Sequence, residues 1–156
     1  MSDRATDPRV PWASIVFGYG PMLPLAAAAL GAWLLPRPWP GIALLLAITW
    51  AAVILVFIGG VRRGFGFGQD RASTLAEVVA AIAYMGLAFA ALVVPRPSAA
   101  CALLVVGYVL AALLDRRAAL AGDAPLHFAR LRPPQLFLGA LSLAALWAWL
   151  LFGGQA

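Results

Sequence analysis

Apolar stretches of about twenty residues recur five times along this chain, and they constrain its fold more than any other feature. The 156 residues are 64% hydrophobic and only 11% charged, whereas about 25% of the residues in a soluble domain are charged. A soluble chain of this size cannot bury so much apolar surface in one small core. Since about 20 apolar residues in a helix cross a bilayer, the sequence predicts an all-α integral membrane protein.

Proline, glycine and arginine residues separate the apolar stretches. The sequence Pro-Arg-Pro follows the first and third stretches. Since proline interrupts helices, both segments are predicted to be tight turns. Residues 115–133 are predicted to be a loop with a short interfacial helix that ends at Pro133 and Pro134. A short tail, residues 1–13, thus precedes one transmembrane domain, residues 14–152, with predicted spans at residues 14–35, 41–61, 72–94, 98–114 and 134–152.

The eleven basic residues are all arginines, and nine of them fall on one side of the predicted bundle. Since basic loops are retained in the cytoplasm, the N-terminal tail and the two basic loops, residues 62–71 and 115–133, are predicted to be cytoplasmic and the C-terminus periplasmic. We attribute the net charge of +5 to arginines that set this topology and contact anionic lipid headgroups, rather than to arginines that bind nucleic acid. Headgroup contacts are predicted for Arg62, Arg63, Arg71, Arg116, Arg117, Arg130 and Arg132.

Small residues and one acid stand out within the spans. Small side chains let helices approach closely in lipid, so helix packing is predicted at Gly59, Gly60, Gly139, Ala140 and Ala144. Glu77 is the one carboxylate expected inside a span, near the start of its helix. There it complements the helix dipole. The alternative, a proton or cation relay, would need another acid or a histidine deeper in the bundle.

No catalytic, cofactor or metal site is predicted. The chain has one histidine, His127, and one cysteine, Cys101, which cannot supply paired haem ligands or a zinc site. Its serine and threonine residues lack the histidine and acid partners that nucleophilic catalysis needs. We therefore expect a protein that is not an enzyme.

Three spaced motifs carry a family resemblance. They are Gly18-Tyr19 with Leu23-Pro24, the Gly-Gly-x-Arg-x-Gly motif at residues 59–64, and Phe128-x-x-Leu131-Arg132. Together they resemble an uncharacterised family of small bacterial inner-membrane proteins that has a relative in the mitochondrial inner membrane. The resemblance implies a compact bundle of about five helices in the bacterial inner membrane, and it implies no biochemical activity.

Two functions of different classes fit these features. The first is an accessory or assembly subunit of a larger inner-membrane complex, with membrane lipids and other membrane subunits as partners. The second is a small transporter or channel, alone or as a homo-oligomer, which the repeated Pro-Arg-Pro hairpin pattern favours. The predicted shortage of polar residues at the membrane midplane argues against the second.

The arginine distribution predicts the outcome of reporter fusions. Fusions at Arg96 and after Gln155 should be active in the periplasm, and a fusion near Ala121 in the cytoplasm, because nine arginines lie on the side of Ala121. Paired alkaline phosphatase and green fluorescent protein fusions measure this. An inverted pattern would contradict both the topology and the assignment of the two basic loops.

Overall fold

Helices make up every regular element in the parts of the chain that the structure describes. The structure is a computed structural model that describes residues 12–68, 72–124 and 126–153. Five helical segments are long and apolar enough to cross a membrane: Trp12–Leu34, Trp39–Phe65, Leu75–Val93, Pro97–Ala121 and Phe128–Gly153. The prediction of an all-α protein with five membrane-spanning helices is thus confirmed, while the orientation of the termini stays a prediction. Most of the N-terminal tail and Arg71 lie outside the described residues.

The first span is broken into two helices. Proline has no N–H to donate, so Pro24 cannot make the helical hydrogen bond to the carbonyl of Gly20. Instead, the N–H of Leu23 donates to that carbonyl in a short 3-10 turn. The elements in order are α1 (Trp12–Tyr19), the 3-10 turn (Gly20–Met22), α2 (Leu23–Leu34), α3 (Trp39–Gly68), α4 (Leu75–Val93), α5 (Pro97–Ala121), α6 (Phe128–Ala148) and a π turn (Trp149–Gly153).

Two helices extend beyond the predicted spans. Helix α3 continues to Gly68 and α5 to Ala121, so much of the 62–71 and 115–133 segments is helical. In α5 the extension packs inward, because Ala118 and Ala119 are buried beside aromatic side chains from α3 and α6. Gly122 ends this helix in the left-handed conformation, with φ of 84° and its N–H directed to α5 carbonyls.

Helix α6 differs most from the prediction. It begins at Phe128 and continues through Pro133 and Pro134, where the sequence predicted the end of a separate interfacial helix. The prolines withhold only the two N–H groups that would reach the carbonyls of Ala129 and Arg130. Buried residues on both sides of them hold the segment against the bundle, and packing of this kind offsets proline in membrane helices.

Consecutive spans run antiparallel, so one end of the bundle collects the C-termini of α3 and α5 and the N-termini of α4 and α6, together with the N-terminus of α1. Gly59 in the second half of α3 approaches Ala81 in the first half of α4. Asp115 near the end of α5 pairs with Arg132 near the start of α6. We call this end, formed by the C-termini of α3 and α5 and the N-termini of α4 and α6, the arginine end.

The candidate packing residues differ in their surroundings. A Cβ on Gly59 would lie 3.2 Å from the carbonyl of Ala81, whereas one on Gly60 would meet nothing within 4 Å. Gly139 lies against Tyr108, and Ala140 is also buried in the core. Ala144 is half-buried. Gly139 therefore contributes to packing within the chain and is not available to a partner.

Replacing Gly139 with leucine should destabilise the protein itself. A Cβ at this position would lie 2.5 Å from Cε1 of Tyr108, and overpacking of a core costs about 1–3 kcal/mol or more. Thermal unfolding in detergent should show a lower midpoint. Gly86→Leu is the matched control, because a Cβ on this exposed glycine meets nothing within 4 Å. Equal midpoints for the two variants would contradict the packing described here.

Candidate functional site

A buried carboxylate, Asp115, is the centre of a polar cluster at the arginine end. Its side chain is 1% exposed and receives a hydrogen bond of 3.2 Å from the hydroxyl of Tyr84 on α4. The Nε atom of Arg132 on α6 lies 3.8 Å from its other oxygen. The cluster thus joins α4, α5 and α6 through one carboxylate, which is the arrangement that a buried charge requires.

A second guanidinium, that of Arg62 on α3, also faces the interior. Arg62 is 5% exposed, and its charge acts on both Asp115 and Tyr84. Its Nε and Nη1 atoms are buried and have no hydrogen-bond partner among the described residues. A buried N–H group without a partner costs about 1–3 kcal/mol, so Arg62 is the least satisfied member of the cluster.

Aromatic rings separate the two arginines. The guanidinium of Arg62 lies 5.9 Å from the ring centre of Phe65, and that of Arg132 lies 4.6 Å from the ring centre of Phe128. The two rings meet edge to face, with centres 5.8 Å apart. Cation–π contacts at these distances are attractive, so the rings hold the two charges in place without neutralising them.

Glu77 occupies a capping box at the start of α4. Its Oε2 atom accepts a hydrogen bond of 2.8 Å from the N–H of Thr74, and its own N–H donates to Oγ1 of Thr74 over 3.2 Å. This reciprocal pair satisfies two of the backbone donors that a helix start leaves open. Glu77 is fully buried, and so is Asp115, on a helix that is long and apolar enough to cross a membrane. Glu77 is therefore not the only buried carboxylate among the described residues, while the position of either acid in a membrane stays a prediction.

Away from the arginine end, the buried polar side chains that the structure describes each make a separate hydrogen bond to a backbone carbonyl. Tyr108 donates to the carbonyl of Ala51 over 3.2 Å, and Ser142 donates to the carbonyl of Leu138 over 2.9 Å. Fully buried apolar side chains surround them, including Leu25, Leu104, Leu143 and Leu146. Within the described ranges, the interior therefore offers no continuous polar path from one end of the bundle to the other.

An apolar cavity of about 510 Å³ lies beside the cluster, between α1, α3 and α6. Arg132, Gln135 and Ser14 are the polar side chains near the arginine end of its lining, and Trp50 and Met22 lie at the opposite end. The indole of Trp50 donates to the carbonyl of Pro21 over 2.9 Å, which joins α3 to the 3-10 turn. This volume lies in the range of small-molecule binding sites.

The arginines predicted to contact headgroups fall into two groups. Arg63, Arg116, Arg117 and Arg130 are exposed near the arginine end, where headgroup contact stays a prediction. Arg62 and Arg132 are instead buried among helices, because each helix turns that face toward Asp115. Arg63 contacts Ser73, whose hydroxyl donates to the backbone carbonyl of Arg63 over 3.1 Å.

Two members of the cluster, Asp115 and Tyr84, were absent from the sequence-based predictions. Asp115 precedes Arg116 and Arg117, so the charged triplet was interpreted as a loop. A helical pattern was nonetheless present: the buried stripe of Ala111 and Ala112 continues at Asp115 and at Ala118, with the spacing of one helix face. Among the described residues, no group of three histidine, cysteine, aspartate or glutamate side chains could hold a metal ion.

These features define a multi-pass helical membrane protein with a compensated ion cluster at one end. A family profile described as "Protein of unknown function (DUF3429)" matches residues 10–151. The chain therefore belongs to the DUF3429 family. Neither the curated proteins nor the solved structures contain a match to the chain.

Replacing Asp115 with asparagine should destabilise the bundle strongly. The change leaves Arg132 buried without its carboxylate partner, and breaking a buried ion pair in this way costs about 3–5 kcal/mol. The free energy of unfolding in mixed detergent micelles measures the loss. The double variant Asp115→Leu with Arg132→Met should recover part of it, because neither charge of the pair then remains buried, while Arg62 and the hydroxyl of Tyr84 lose Asp115 as their partner. Arg116→Gln, at an exposed position, should change stability by less than about 0.5 kcal/mol. Additive losses in the double variant would show that the two side chains are not coupled.

Proposed function

We propose that this protein is a non-catalytic accessory or assembly subunit of a larger complex in the bacterial inner membrane. In this proposal the arginine end faces the cytoplasm and the C-terminus faces the periplasm, as the arginine distribution predicts. The exposed arginines contact anionic headgroups. The protein acts by helix contact with other membrane subunits, and it shares this role with relatives in bacterial and mitochondrial inner membranes.

An open glycine face on α3 carries the proposal. Gly60 and Gly64 are four residues apart and so lie on one side of the helix. A Cβ on either glycine would meet nothing within 4 Å. Pairs of small residues at this spacing are typical of close helix–helix contacts in membranes. Among the described residues, no side chain fills this face, whereas the spaces at Gly59, Gly107 and Gly139 are filled.

In this geometry, the residues of the Gly-Gly-x-Arg-x-Gly motif have different roles. Gly59 lets α4 approach, since a Cβ there would lie 3.2 Å from the carbonyl of Ala81. Arg62 faces inward to the ion cluster. Gly60 and Gly64 face outward. One helical segment thus holds the bundle together on one side and presents a contact surface on the other, which supports a function in assembly.

A small transporter or channel is the alternative function. The buried ionisable groups Arg62, Asp115 and Arg132 favour it, because charged residues inside membrane spans often mark ion or proton pathways. The apolar packing around Leu104 and Leu143 in the described part of the bundle supports the contact function instead. A transporter would act as the isolated protein, whereas an assembly subunit would not.

A bulky side chain on the open face should disrupt assembly without unfolding the protein. Gly60→Leu should reduce the amount of a larger complex that co-purifies from native membranes about tenfold, since overpacking of about 1–3 kcal/mol corresponds to a factor of that order. Quantitative mass spectrometry after mild-detergent purification measures this. The thermal midpoint should stay near the wild-type value, because leucine at Gly60 meets no atom of the chain within reach of its Cβ.

Gly41→Leu is the control for this experiment. Gly41 lies on the same helix near its other end, and it is also exposed and without a neighbour within 4 Å of an added Cβ. It should retain the complex. An unchanged complex in Gly60→Leu and Gly64→Leu would refute contact through this face. A specific solute flux into vesicles that contain only the purified protein would favour the transporter.

A further inference from the structure

The cavity between α1, α3 and α6 is long as well as apolar. Its α3 wall runs from Trp50 to Val61, and the eleven steps between these residues span about 16 Å at 1.5 Å per residue. Phe17, Val53 and Phe57 line it and are also exposed on the outer surface of the bundle. The cavity is therefore an elongated recess that opens sideways, toward the hydrocarbon region of the membrane.

The polarity of the cavity changes along its length. Near the arginine end its lining includes the polar residues Arg132, Gln135 and Ser14. Toward the other end it is formed by Met22, Ile54 and other apolar side chains, with the indole N–H of Trp50 already engaged by the carbonyl of Pro21. A molecule that matches this lining has a polar end and a long apolar part.

Unsatisfied donors lie beside the polar end. Arg62 follows Val61, which lines the cavity, and its Nε and Nη1 atoms are buried without acceptors. Its neighbour Phe65 packs on Phe128, another lining residue. Arginine binds phosphate through paired N–H groups more readily than any other side chain. An anionic oxygen group at this end would supply the acceptors that Arg62 lacks.

We propose that this cavity holds an acyl chain of an anionic phospholipid, whose phosphate lies at the arginine end against Arg132 and Arg62. The lipid enters from the surrounding bilayer through the lateral opening. Its chain fills the apolar recess as far as Trp50, and its headgroup remains at the level of the exposed arginines. The bound lipid is then part of the packing between α1, α3 and α6. The proposal is independent of any partner subunit.

Quenching of Trp50 by brominated lipids tests this directly. The full-length protein is placed in nanodiscs with rising fractions of phosphatidylglycerol or phosphatidylcholine that carry bromine on the acyl chains. The difference between wild type and Trp50→Phe isolates the signal of Trp50 from that of the other five tryptophans. Phosphatidylglycerol should reach half-maximal quenching at about one tenth of the fraction that phosphatidylcholine needs, because both lipids carry the phosphate but the choline cation of phosphatidylcholine is repelled by the two arginines.

Two matched pairs of variants separate the roles of charge and volume. Arg62→Gln should remove the preference for phosphatidylglycerol, and Arg63→Gln, at the adjacent exposed position, should retain it. Val53→Phe narrows the cavity and should weaken quenching by both lipids. Val56→Phe, on the same helix but outside the lining, should not.

Several results would overturn the proposal. Equal quenching of Trp50 by the two lipids would show that no anionic headgroup is selected. An equal effect of Arg62→Gln and Arg63→Gln would assign the preference to general surface charge. Unchanged quenching in Val53→Phe would show that the chain does not occupy the cavity. If Arg62→Gln fails to fold, the Val53→Phe and Val56→Phe pair still decides whether the cavity is occupied.

Discussion

The rest of the bundle depends on how Asp115 is compensated. An unpaired carboxylate in a nonpolar interior is too costly to keep, so the helices that surround Asp115 must bring donors to it. Helix α4 supplies the hydroxyl of Tyr84, α6 supplies the guanidinium of Arg132, and α3 adds the charge of Arg62. These contacts set the rotation of four helices about their axes at the arginine end. Elsewhere the helices pack through alanine, leucine and glycine, which in lipid favour close contact but select its partner less strongly.

The same end of the bundle also combines features that a purely structural ion cluster does not need. Arg62 retains two buried nitrogen atoms without acceptors, next to an elongated cavity whose polar side chains lie at that end. An anionic lipid would complete the hydrogen bonds of the cluster and fill the recess at once. The open glycine face continues the exposed stripe of Val53 and Phe57 that borders the cavity, but the two proposals invoke different partners, a protein subunit and a lipid, and each can fail without the other.

Because α3 has an inner and an outer side, six residues of this helix can make three different kinds of contact. Within residues 59–64, one glycine admits α4, one arginine faces the ion cluster and two glycines leave an open surface. Each role follows from the direction in which the helix turns the residue, because successive positions differ by about 100° at 3.6 residues per turn. A loop of the same sequence could not assign these directions, which is why the extension of α3 to Gly68 matters for function.

The sequence by itself determined the helical class, the number of apolar helices long enough to span a membrane, and the position of the Gly-Gly-x-Arg-x-Gly motif near the end of the second of them. Those features depend on apolar length and on proline, which act locally and can be recognised in one stretch of chain. Only the tertiary structure decided that Arg62 and Arg132 face inward, that Asp115 belongs to a helix, and that α6 passes through Pro133 and Pro134. Each of these depends on contacts between residues far apart in sequence. Ala118 and Ala119 pack beside Phe65 and Phe128. Tyr84 donates a hydrogen bond to Asp115. A charged triplet such as Asp115-Arg116-Arg117 resembles a loop until a partner on another helix compensates one of its charges.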